Sequence, residues 1–267
     1  MTDTRMTDPG RNPAGQPWTP VAGDQALEFT DVSKTFKDGT RALDRTSFTV
    51  APGEFVTVVG PSGCGKSTLL RIASGLERPT TGSVTVDRTS LGYVFQDATL
   101  LQWRTVRDNV GLFAELDKMP RADRQRRVAE CVELVGLNGF EDKYPKQLSG
   151  GMRMRASLAR SLVMDPDVFL FDEPFGALDE ITRERLNDEL LGLFQRQEFG
   201  ALFITHSIYE AVFLSTRVLV MSARPGRIVA SFDVPFEYPR SHELRFDPAF
   251  AALTGDVSRA LRGETSS

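Results

Sequence analysis

Cysteine is scarce in this sequence, with two among 267 residues. Cys64 and Cys131 are too few for a disulfide framework, so the chain must hold itself together by burying a core, and a reducing compartment is expected. Cys64 falls inside a glycine-rich loop, where it reads as a small neutral spacer rather than a redox sensor. Long apolar runs are missing too. Nothing approaches the roughly eighteen uninterrupted apolar residues of a membrane span, which excludes a pore built by this chain and leaves membrane association to a partner. Met1 to Gly23 has Pro, Gly, Thr and Asp but no apolar h-region, which argues against a signal peptide; a disordered leader over 1–25 is expected. Nor does charge of one sign prevail. Lys+Arg 32 against Asp+Glu 36 leaves a net charge of -4, giving no general attraction to nucleic acid or anionic lipid.

What the sequence does have is chemistry at fixed spacing. Gly60-Pro61-Ser62-Gly63-Cys64-Gly65-Lys66-Ser67 fits G-x-x-x-x-G-K-[ST], and the largely apolar run Phe55 to Val59 leads into it. In that context the glycines let backbone N–H groups close around phosphates, and the helix that follows presents its positive end. Lys66 reaches the β- and γ-phosphates and the Ser67 hydroxyl holds Mg²⁺. An ordinary strand-to-helix turn does not ask for Lys-Ser at its close.

A second cluster, Leu148-Ser149-Gly150-Gly151-Met152, heads the apolar-periodic stretch Ala156 to Met164, where small residues with free N–H groups form another anion site. Further on, Val168 to Phe171 is all apolar, as expected of a parallel strand buried on both faces. Asp172 and Glu173 emerge at its C-terminal end, the edge of an open α/β sheet where ligands bind.

Taken together, these motifs resemble the ATP-binding cassette (ABC) ATPases, over nearly all of Leu27 to Val234. The resemblance implies an α/β fold: a P-loop ABC ATPase core with an antiparallel β-layer and an inserted helical subdomain. It places the ATPase domain at 26–234, the helical subdomain at about 100–164, and a tail with a short helix at 235–267. It also supplies an ordered set of elements, each matched here: the phosphate loop, a glutamine loop ending at Gln96, the signature at Ser149, Gly150 and Gly151, the Asp172-Glu173 strand end, a D-loop closing at Asp179, and a switch histidine, His206. ATP and Mg²⁺ are the implied cofactors. Gly60 to Ser67, with Thr68, would bind nucleotide; Ser67, Gln96 and Asp172 would hold the metal. Glu173 is placed to accept a proton from attacking water, and His206, after the apolar strand Ala201 to Ile204, to contact the γ-phosphate. Phe36 falls where the family stacks a ring on adenine, though an aromatic at a strand end also covers core. Met152 stands where the family commonly has Gln.

Leu27 to Asp31 and Ala42 to Val50 read as strands joined by a turn at Lys37-Asp38-Gly39, and Ser83 to Val86 and Leu91 to Phe95 as two more. The short connection Asp87 to Ser90 is expected to trim a surface hairpin. Thr105 to Lys146 has helical spacing, with Arg121 to Arg127 a solvated basic face. His242 matches no motif and reads as structural, ahead of a helix near Phe250 to Leu261.

The resemblance implies a head-to-tail homodimer in which Ser149 and the N–H groups near Gly151 of one subunit complete the other's γ-phosphate site. It further implies transmembrane permease subunits, and through them a solute-binding protein, with the chain peripheral on the cytoplasmic side of the membrane and no nucleic acid. Leu100 to Arg104 resembles the surface that receives a permease coupling helix; a core Trp103 is the other reading. Gln102-Trp103, Thr205 to Ile208 and Ser222 to Ile228 resemble importers of the nitrate, sulfonate, taurine and pyrimidine-precursor group, with motifs that shape permease docking rather than solute recognition. An exporter or lipid-transport ATPase is the nearest alternative. A chromosome-organising ATPase would need a long coiled coil between Lys66 and Ser149, and no sustained heptads occur there.

Overall fold

The computed structural model describes residues 25–197 and 199–263. The expected leader therefore lies outside them, apart from Gln25. Two sheets carry the described chain. The smaller is antiparallel, ordered β2-β1-β4, from β1 (Leu27–Thr35), β2 (Arg41–Val50) and β4 (Thr81–Val86). The larger is ordered β5-β6-β7-β3-β8-β9, from β3 (Phe55–Val59), β5 (Leu91–Val94), β6 (Val168–Asp172), β7 (Gly200–Thr205), β8 (Arg217–Met221) and β9 (Ile228–Asp233). Its neighbours run parallel except β9, which returns antiparallel to β8.

Side chains on a strand alternate between faces, so an all-apolar strand feeds two cores at once. In β3, Phe55 and Val59 join one cluster while Val56 and Val58 join the other; in β6, Phe169 and Phe171 part from Val168 and Leu170 in the same way. The second cluster lies between the sheets and takes in Leu69, Leu70 and Ile72 of α1 (Lys66–Ala73). The first is covered by α5 (Gly150–Leu162), α6 (Glu180–Gln197), α7 (Ile208–Leu214) and α8 (Pro248–Arg262).

The helical stretch resolves into α2 (Val106–Val110), α3 (Leu112–Leu116) and α4 (Arg121–Leu134), which pack with α5. The basic stretch in α4 is solvated as expected: Arg126 pairs with Asp123 and Glu130, and Arg127 with Glu130 and Asp165.

Two expectations need correcting. β1 runs four residues beyond Asp31. Asp87 to Ser90 is also no hairpin turn, because β4 pairs with β1 whereas β5 pairs with β6. A short 3₁₀ turn over Arg88–Ser90 instead carries the chain from one sheet to the other, capped by the Asp87 carboxylate, which accepts from the Thr89 amide.

The segment after Val234 packs onto the core. Phe250 and Val257 of α8 are buried there with Phe236 and Tyr238 alongside. Arg240, itself buried, donates to the Val212, Phe213 and Ser215 carbonyls and so satisfies the C-terminal end of α7. His242 is structural as expected, paired with Asp188 and stacked on Phe213.

Candidate functional site

Parallel strands deliver their C-terminal ends to one edge, which here brings three motifs together. Val59 is in register with Thr205, and Asp172 with Ile204. Gly60, Glu173 and His206, each the residue following its strand, therefore share that edge.

Between β3 and α1 the phosphate loop turns through Gly63 (φ 71°) and Gly65 (φ 115°). A side chain at 65 would be strained by that φ and would stand 2.7 Å from the Ala42 carbonyl oxygen, so only glycine meets both demands. Cys64 is buried beneath the loop, and burial pushes its thiol above the ordinary value, consistent with a neutral spacer. Ser62 and Gly63 are exposed and Thr68 is half-buried in α1.

Lys66 is only 5% exposed. Its ammonium donates to the carbonyls of Gly60 (2.8 Å) and Pro61 (3.1 Å) and lies 3.6 Å from the Glu173 carboxylate. A buried cation held mainly by neutral carbonyls suits an anionic ligand.

Ser67 donates its hydroxyl to Asp172 at 2.9 Å, and Tyr93 donates to the other carboxylate oxygen at 3.4 Å. Burial raises the Asp172 carboxyl above its ordinary value, opposed by the Ser67 hydrogen bond and reinforced by the charge of Glu173. Hydroxyl and carboxylate oxygens are the hard donors that Mg²⁺ takes. Among the described residues no group of three or more His, Cys, Asp or Glu is arranged to hold a metal ion by itself; Mg²⁺ commonly takes its remaining ligands from phosphate and water.

Glu173 is a non-glycine residue in the left-handed region (φ 46°), its amide donating to Ile204 across the strand ends. Its second carboxylate oxygen lies 2.9 Å from His206 Nδ1. Gln96 lies nearby: a Cβ at Gly176 would stand 3.7 Å from Glu173 Oε2 and 3.8 Å from Gln96 Nε2. Lys66, Ser67, Asp172, Glu173, His206 and Gln96 are thus one constellation.

The remaining expected residues stand apart from it. Ser149 caps α5, accepting from the Met152 amide at 3.2 Å, and Gly150 and Gly151 form its first turn. Met152 packs its side chain against the core. Asp179 opens α6 by accepting from the Thr182 amide and hydroxyl, bonds that hold its carboxyl below the ordinary value. Among the described residues no hydrogen bond or ion pair joins Ser149–Gly151 to the phosphate loop. Phe36 sits just past β1, 36% exposed, with the Lys34 ammonium 5.1 Å from its ring centre, so it does not belong to the core. Trp103 is 75% exposed, and Arg104 beside it pairs with Glu115 at 2.7 Å. The core reading of Trp103 is thereby overturned.

Three supports escaped the sequence reading. Asn109 is fully buried, accepts from the Leu101 amide at 2.7 Å and donates to the Leu101, Arg104 and Thr105 carbonyls. Arg160 reaches back to Ala98 and Thr99, just past Gln96. Buried Glu210 accepts from the Thr205 hydroxyl beside His206. None has a local signal, because each acts on a partner that only the fold brings near. The segment Ser222–Ile228 makes its contacts within the chain to the phosphate loop and β2.

The family model described as ABC transporter matches residues 43–176. An uncharacterised ABC transporter ATP-binding protein of Methanocaldococcus jannaschii is 47% identical over 224 residues, 80% of this chain and 84% of that one. A taurine import ATP-binding protein of Rhizobium johnstonii is 44% identical over 232 residues, 82% of this chain and 88% of that one. Among solved structures, a dimeric post-hydrolysis ATP-binding cassette bound to ADP and Pi is 30% identical with a TM-score of 0.70, covering 79% of this chain and all of that one.

Proposed function

This chain belongs to the ABC transporter family as an ATP-binding subunit that hydrolyses ATP, and from that membership we propose that it powers solute import through a separate membrane permease. The observation that carries the chemistry is Glu173, whose carboxylate lies 2.9 Å from His206 Nδ1 and 3.6 Å from Lys66 Nζ at the mouth of β6. Lys66 leaves the Gly60 and Pro61 carbonyls to bind the β- and γ-phosphates, and loop N–H groups hold the same chain of oxygens. Glu173 takes the proton from the attacking water, and His206 hydrogen-bonds the γ-phosphate. Ser67 and Asp172, with Gln96, would hold a Mg²⁺ ion that neutralises charge between the phosphate oxygens. Phe36 offers an exposed face to the adenine ring.

The direction of transport and the class of solute are read from relatives. The name of the taurine-import relative favours a small taurine- or sulfonate-like solute, carried inward. No helix among the described residues is long and apolar enough to cross a membrane, and the exposed Trp103, with the half-buried Arg104 beside it, gives a partner's coupling element a surface to meet. The chain then sits peripherally on the cytoplasmic side and never touches the cargo.

The test is a complex reconstituted in vesicles with the permease and binding protein. Taurine-loaded binding protein should raise ATP hydrolysis and drive uptake, and Trp103→Ala should cut that stimulation while the isolated chain binds ATP as before. Outward transport, or hydrolysis indifferent to the loaded binding protein, would defeat the importer reading.

A further inference from the structure

Ser222–Ile228 is a motif that the hydrolytic chemistry does not use, yet its contacts are specific. Arg224 donates through both Nε (3.0 Å) and Nη2 (2.8 Å) to one acceptor, the Gly63 carbonyl oxygen of the phosphate loop. Among the described residues its guanidinium has no ion pair and no other hydrogen-bond acceptor, although it is exposed. Two residues on, the Gly226 amide donates to the Ala42 carbonyl and the Gly226 carbonyl accepts from the Asp44 amide, both at 2.9 Å. A Cβ on Gly226 would collide with the Cys64 carbonyl oxygen. The β8–β9 connection is therefore pressed against the outer side of the phosphate loop and stitched to β2, with Arg224 as its one charged contact.

We propose that Arg224 is a positioning residue for nucleotide binding, fixing the Gly63–Cys64 peptide so that the phosphate cradle is formed before nucleotide arrives. The inference rests on the nucleotide reading of that loop. The physical reason is preorganisation. Gly63 and Gly65 both occupy the left-handed region, and glycines have more backbone freedom to lose than any other residue when a ligand fixes them. A two-donor fork on the Gly63 carbonyl removes part of that freedom beforehand, so less of the binding energy goes into ordering the loop. Charge-assisted bonds from a planar guanidinium are directional enough for the task, and a lysine can supply only one of the two. Once nucleotide is bound, its own contacts hold the loop, so Arg224 matters for capture rather than for turnover.

The experiment measures ATP and ADP affinity by calorimetry with Mg²⁺ present, together with steady-state hydrolysis and thermal melting, for the wild type, Arg224→Ala, Arg224→Lys and Lys66→Ala. Arg224→Ala should weaken ATP and ADP alike by about three- to tenfold, the range of one charge-assisted hydrogen bond lost at an exposed site. KM should rise by the same factor while kcat at saturating ATP stays within about twofold of wild type. Arg224→Lys should recover part of the affinity, which a purely structural defect would not show. Wild-type affinity in a folded Arg224→Ala protein, or a fall in kcat at unchanged KM, overturns the proposal. If Arg224→Ala melts too low to measure, equal affinities for Arg224→Lys and wild type overturn it. A wild-type chain that binds no nucleotide would overturn the nucleotide reading itself, whereas Lys66→Ala weakened beside an unaffected Arg224→Ala removes only this inference.

Discussion

Glu173 is the residue on which turnover should hinge, because one carboxylate faces both the buried Lys66 ammonium and the His206 ring. Glu173→Gln keeps the shape and removes the base, so ATP binding should persist while kcat falls by about 10²–10⁴-fold, the usual worth of a positioned general base. Single-turnover hydrolysis at the wild-type rate would show that the proton goes elsewhere. Asp172 makes a different prediction through its electrostatics. Burial first, and the charge of Glu173 besides, lift its carboxyl above the ordinary value of 3.8 against the pull of the Ser67 hydroxyl. A carboxyl raised in the folded state keeps its proton after the unfolded chain has lost its own. Stability therefore falls as pH climbs from near 3.8 through the folded value, and stays reduced above it. Asp172→Asn should accordingly raise the melting temperature of the nucleotide-free chain at pH 7 and flatten its decline with pH. Added ATP and Mg²⁺ should stabilise the variant less than wild type. A variant melting below wild type at neutral pH would contradict this account.

At the scale of elements, the segment Leu100 to Arg104 owes its shape to α2. Asn109, on that helix, binds the Leu101 amide and the carbonyls of Leu101, Arg104 and Thr105, a set that holds the exposed Trp103 on a defined turn. Asn109→Ala leaves those backbone groups to find water or go without, at a cost of about 1–3 kcal/mol. Denaturant unfolding should register that loss, and Trp103 fluorescence should shift while ATP affinity of the folded chain stays as it was. Arg240 does for α7 what Asn109 does for this turn, satisfying carbonyls at the helix end. The segment after Val234 thereby becomes part of the core, against α7 and β8.

At the scale of the whole molecule, Ser149 and Gly151 lie at the head of α5 without a bond to the phosphate loop of their own chain, and a solved relative in fold is a dimer holding ADP and Pi. If two chains meet head to tail, each site is built from the phosphate loop of one and the Ser149 turn of the other. Mixing Lys66→Ala chains with Ser149→Ala chains should then restore hydrolysis that neither variant has alone, since one site per mixed dimer regains both intact halves. A mixture no more active than the mean of its parts would exclude the shared site. The local code was sufficient for much of this. The G-x-x-x-x-G-K-S spacing, the apolar run before Asp172-Glu173 and the strand before His206 each depend on neighbours in sequence, so the core strands, the phosphate loop and the candidate site residues were legible from residue order. Strand ends and sheet partners were not: β1 extends past Asp31, and β4 and β5 belong to different sheets, because pairing is decided by which edge lies near in space. Exposure of Trp103, the burial that lifts Asp172 and the roles of Asn109, Arg160, Arg224 and Glu210 likewise waited on the fold. Each is a relation between a side chain and a distant backbone or cavity wall, and a polar residue carries no mark in the sequence of the partner that long-range packing will bring to it.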